Sequence, residues 1–81
     1  MYINIWYSWG DHEEPVEVPP EQNAWEYAMR LAAEEIKTVT REHSAVCAFF
    51  DADSERIELH YLYDDTYCYY QVSDVPYEGG E

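Results

Sequence analysis

Basic residues are scarce in this chain. Four Lys and Arg stand against 18 Asp and Glu in 81 residues, a net charge of −14. A surface so poor in cations repels phosphate backbones and anionic lipid, which argues against direct binding to nucleic acid or to a membrane. Glycine is also rare. The three present are Gly10, Gly79 and Gly80, so no glycine-rich loop exists to cradle a phosphate. Cysteine is limited to Cys47 and Cys68, without the CxxC spacing of a zinc or redox site. In a reducing compartment both are expected as small buried apolar residues. No apolar run approaches the ~18 residues of a membrane span. The N-terminus has neither the basic flank nor the apolar core of a signal peptide, so the expected location is the cytoplasm.

What the chain does have is aromatic rings: nine Tyr, three Trp and two Phe, 17% of all residues. One small domain buries only ~60% of its unfolded surface, and large rings enlarge a modest core. That content argues against disorder despite the charge. A single domain over residues 1–75 is expected, with a flexible acidic tail at 76–81.

The stretch from Pro19 to His43 carries the only helical periodicity. Trp25, Ala28, Met29, Ala32, Ile36 and Val39 make one apolar stripe. Pro19 and Pro20 suit a helix start, and Asn23 with Glu26 offers a capping box. Lys37 and Arg41 suit the C-terminal end of the dipole. Opposite the stripe lie Arg30, Glu34 and Lys37, an outer face close to charge balance.

The remainder reads as strand. Residues 1–9 alternate, with Ile3, Ile5, Tyr7 and Trp9 on one face and Tyr2, Asn4 and Trp6 on the other. The apolar run of residues 44–50 suits a central strand buried on both sides. Glu55–Tyr63 and Thr66–Val72 alternate again, separated by a tight turn at Asp64 and Asp65 that lacks the preferred glycine. Asp11–Glu21 is a proline-containing loop in which Val16 and Val18 could extend beside the sheet. The expected fold is an α+β two-layer sandwich in the order β-α-β-β-β, one helix on a mostly antiparallel four-stranded sheet. The face left open then holds Tyr2, Trp6, His60, Leu62, Tyr67 and Tyr69, an aromatic surface of the kind found at binding hot spots.

No catalytic signature emerges. Asp51, Asp53 and Glu55 resemble the start of a calcium loop, but Arg56 stands where glycine is required and Leu62 where a bidentate Glu is required. His12, His43 and His60 form no zinc spacing, and no serine lies in a nucleophile motif. A non-enzymatic protein without cofactor or metal is expected.

Charge distribution carries the functional reading. Acids collect at Asp11, Glu13, Glu14 and Glu17, at Asp51, Asp53 and Glu55, and at Asp64 and Asp65. The two hairpin turns stand roughly 25–30 Å apart at ~3.3 Å per residue. Carboxylates spread in this way imitate a phosphate track and accept Arg forks much as phosphates do. Trp6, Tyr67 and Tyr69 could stack on guanidinium groups or fill base pockets. In size and in the acid clusters Asp11–Glu21, Asp51–Glu58 and Asp64–Asp65, the chain resembles the small acidic inhibitors of phages and mobile elements, including anti-CRISPR proteins and other DNA mimics. That resemblance implies a basic nucleic-acid-binding partner, a nuclease or Cas effector, met in the host cytoplasm if the chain is phage-encoded. The alternative is an interaction module, monomer or homodimer, that uses the aromatic sheet face and keeps its acids for solubility.

Overall fold

A computed structural model describes residues 1–42 and 45–77. Its elements are β1 (Tyr2–Tyr7), β2 (Val16–Glu17), α1 (Ala24–Glu42), β3 (Val46–Asp51), β4 (Arg56–Tyr61) and β5 (Thr66–Ser73). They form an α+β fold in which one helix covers one face of an antiparallel sheet of order β2-β1-β5-β4-β3. The sheet has five strands rather than four. The fifth is the Val16–Glu17 piece, paired to Tyr2 and Ile3. His43 and Ser44, expected to end the helix and begin the next strand, lie outside the described residues.

The helix starts where its capping chemistry places it. The Asn23 side-chain oxygen accepts the Glu26 amide at 2.9 Å, satisfying one of the amides that a first turn leaves free. Ala28, Ala32 and Val39 are buried along the expected stripe, with Trp25, Met29 and Ile36 packed beside them. Arg30 does not pair with Glu26. Its guanidinium donates to Gln22 at 2.9 Å and lies 5.1 Å from the Tyr27 ring centre. On the sheet, Ile3 and Ile5 of β1, Cys68, Tyr70 and Val72 of β5, and Ile57, Leu59 and Tyr61 of β4 meet the helix. Alternation in these three strands explains the sorting: every second residue turns to the core.

Strand β3 departs from expectation. Its apolar sequence suggested burial on both faces, yet it is the outermost strand, and Cys47, Ala48, Phe49 and Phe50 are all exposed. The reason is topological. β1 takes the place beside β5, so β4 has only its other side to offer β3, and the helix is centred over β5 and β4, reaching β3 only at its margin. Cys47 is thus exposed and only Cys68 is buried.

Other placements differ as well. Trp9, Leu62 and Tyr63 stand in turns rather than strands, and Glu55 precedes β4. Both hairpin connections, residues 52–55 and 62–65, end on a left-handed residue: Glu55 at φ 55° and Asp65 at φ 60°. An acid fills the position where glycine is favoured. The stretch expected to be flexible from residue 76 begins with two placed residues. The buried Asn4 side chain donates to Val75 O at 3.1 Å and accepts the Tyr77 amide at 2.9 Å. Residues 78–81 lie outside the described residues.

Candidate binding surface

At one end of the sheet β1 leaves and β5 enters side by side, joined by Ser8 N to Tyr67 O and Tyr67 N to Ser8 Oγ, each 3.0 Å. The chain then turns at Gly10, which takes φ 103°, and runs back along β1. Glu13 N donates to Ile5 O and Val18 N to Met1 O, both at 2.9 Å. The acidic segment 11–17 is therefore pinned along the sheet edge, and Asp11, Glu13, Glu14 and Glu17 remain exposed.

This return brings acids and rings together. Trp9 stacks on Tyr7 at 4.6 Å and donates its indole N–H to Asp11 Oδ2 at 2.8 Å. Tyr7 donates to Glu13 Oε2 at 2.7 Å, and Tyr61 donates to Glu35 Oε2 at 3.0 Å. Between these groups and the helix lies a cleft of about 410 Å³ walled by Tyr7, Glu13, Glu14, Glu34 and Glu35, and beside it a second of about 440 Å³ reaching Trp9, Asp11 and Tyr63. Burial, then the bond to Glu13, raises the Tyr7 hydroxyl above its ordinary range. Burial followed by the negative surroundings does the same for Tyr61 and Tyr70. These phenols stay protonated and act as donors, leaving the carboxylates as acceptors.

Asp64 and Asp65 close the β4–β5 hairpin at this same end. Asp64 Oδ1 accepts Thr66 Oγ1 at 2.6 Å and Thr66 N at 3.2 Å, while Asp65 Oδ1 lies 2.6 Å from His60 Nε2. Five of the nine expected acids thus gather at one end of the molecule: Asp11, Glu13, Glu14, Asp64 and Asp65. The other four, Glu17, Asp51, Asp53 and Glu55, stand at the far end, with Glu17 on the opposite sheet edge from the β3–β4 turn. Within that turn Asp51 Oδ1 accepts the amides of Asp53 (3.1 Å) and Ser54 (3.4 Å), and hydrogen bonding from Ser54 lowers its carboxyl below the usual range.

Trp6, Tyr67 and Tyr69 do come together, on the open face. Centroid separations run 5.4 Å from Trp6 to Tyr69, 6.1 Å from Tyr69 to Tyr67 and 4.3 Å from Tyr67 to His60. The Arg56 guanidinium lies over this ladder, 4.9 Å from Tyr69 and 5.4 Å from Trp6, and Tyr77 covers Trp6 at 5.8 Å. The rings are half-buried by one another, by Arg56 and by the returning chain. Leu62, expected on this face, is in the turn.

Glu35 was not singled out in the sequence, and Glu34 was expected only as part of a charge-balanced outer helix face. Leu31, Glu34, Glu35 and Thr38 recur at helical spacing, and that spacing was the available signal. Among the described residues, no group of three or more His, Cys, Asp or Glu is arranged to hold a metal ion, and no helix is long and apolar enough to cross a membrane.

No family model, curated protein or solved structure matches the chain.

Proposed function

We propose that the protein is a stoichiometric inhibitor that occupies the nucleic-acid-binding surface of a basic protein, such as a nuclease or Cas effector, in the manner of anti-CRISPR and other DNA-mimic proteins. One observation carries this reading: the exposed acids Asp11, Glu13 and Glu14 and the cleft carboxylates Glu34 and Glu35 share one end of the fold with Tyr7 and Trp9. Among the described residues, Arg56–Glu58 is the ion pair between a guanidinium and a carboxylate, and Asp65 has a contact with the His60 ring. The other carboxylates among the described residues have no Lys, Arg or His partner. An Arg from a partner finds there both a forked acceptor and an aromatic face. Binding of this kind is fast, steered by the field, and weakened by salt.

The aromatic sheet face supports the alternative less well. Trp6, Tyr69 and Tyr67 already stack on one another and on Arg56, and Tyr77 partly covers them, so their apolar area has an internal use. Charge reversal separates the readings. Glu13→Lys with Glu14→Lys weakens capture of the basic partner, whereas Lys37→Glu leaves it unchanged. Equal, negligible effects of both would dispose of the acid-track reading.

A further inference from the structure

Strand β3 ends the sheet with an apolar edge. Val46 to Phe50 is five residues without a charge in a chain of net charge −14. Phe49 is 58% exposed and Phe50 48%, and among the described residues no strand pairs with the outer side of β3. Such an edge is a template for strand addition, and natural proteins ordinarily protect it with charge, proline or a bulge. None of these devices occurs between Val46 and Phe50.

The hydrogen-bonding phase of this edge is defined. Leu62 N donates to Ala45 O, and Ala45 precedes the aligned pair Val46–Tyr61 by one position. In an antiparallel ladder, bonded and non-bonded pairs alternate. Residues 45, 47, 49 and 51 therefore direct their backbone groups at β4, and Val46, Ala48 and Phe50 direct theirs outward. These outward residues are spaced symmetrically about Ala48. A second β3 laid antiparallel across a two-fold axis at Ala48 sets Val46 opposite the partner's Phe50 and Ala48 opposite the partner's Ala48. All three outward residues are then bonded, and like faces of the two sheets stay together. On the open face Cys47 meets the partner's Phe49. The small Ala48 at the axis leaves room for the flanking rings.

Acids flank both ends of the strand, Asp64 and Asp65 in the turn that follows Tyr61 and Asp51 and Asp53 at its finish, so the pairing rests on backbone register and apolar contact rather than on charge. Both free β3 edges are used up, so the assembly closes as a dimer. The opposite sheet edge is the two-residue β2, too short to propagate a ladder.

We infer that a second copy of this chain docks on β3, from Val46 to Phe50, to form a two-fold dimer with a continuous sheet. This surface is separate from the acid-lined cleft, and its salt response is opposite. Two copies of net charge −14 associate better as salt screens them, whereas a basic partner is lost.

The test is sedimentation velocity of the full chain from micromolar to millimolar concentration, at low and high salt, beside two variants. Ala48→Pro removes only an outward amide, so the β3–β4 ladder is kept while the edge is blocked. Ala48→Lys puts two like charges face to face at the axis. The native chain should double its mass with rising concentration, more readily at high salt. Each variant, with native circular dichroism, should dimerise about tenfold more weakly or not at all. If Ala48→Pro fails to fold, an equimolar mixture of Ala48→Lys and Ala48→Glu reads the same contact and should restore the dimer as a heterodimer. A native monomer throughout the range, or a dimer that survives both folded variants, overturns the proposal.

Discussion

Phe50 stands directly opposite Ile57 across the β3–β4 pairing, on the same face of the sheet, yet Ile57 is fully enclosed while Phe50 is 48% exposed. The boundary of the core therefore runs between two adjacent strands. Ile57→Ala removes packed atoms at a site ringed by neighbours and should cost about 2–5 kcal/mol of unfolding free energy. Phe50→Ala removes a ring that mostly faces water and should change monomer stability by under about 1 kcal/mol. Urea denaturation of the two variants at low protein concentration checks the contrast, and equal losses would place β3 inside the core.

Asn4 is the buried polar anchor of the open face. Its amide satisfies both Val75 O and Tyr77 N. Asn4→Ala leaves those groups without their partner and should destabilise the protein by about 1–3 kcal/mol. It should also release Tyr77 for chymotryptic cleavage under native conditions. Unchanged cleavage would show that the C-terminal stretch is held by other contacts.

The two cysteines should behave differently. Cys47 is exposed and Cys68 buried. Burial raises the Cys68 thiol from 9.0 to about 11, so near neutral pH it holds about a hundredfold less reactive thiolate. One thiol should react quickly with an aromatic disulfide reagent and the second only on unfolding. The sign of the pH dependence follows. A thiol held protonated by the fold contributes stability that is complete below its unfolded value and is lost as pH rises through about 11. The raised phenols of Tyr7, Tyr61 and Tyr70 act in the same direction. The urea midpoint should fall steadily across this alkaline window, and Cys68→Ala should reduce that fall.

Local chemistry was readable in the sequence, and neighbourhood was not. Asn23 was visible as a cap because capping depends on residues three apart. His60, Tyr67 and Tyr69 were visible as one face of β4 and β5 because alternation depends on residues two apart. β3 was misplaced because an apolar run reports affinity for a dry surface without saying whether that surface lies in the same chain. The cleft position of Glu34 and Glu35 was overlooked for a related reason. The cleft they wall exists only because segment 11–17 folds back along β1, a contact specified by backbone bonds such as Glu13 N to Ile5 O.

If the carboxylates stand in for phosphates, nucleic acid competes with this chain for its partner. The immobilised full chain is used to capture protein from a lysate of cells that carry it, and the bound fraction is challenged with short double-stranded DNA, with RNA, and with salt. The captured partner should be a basic nucleic-acid-binding protein that nucleic acid displaces, that salt releases, and that the Glu13→Lys, Glu14→Lys variant captures about tenfold less well. A partner that resists both nucleic acid and salt, or that binds the variant equally well, would contradict it.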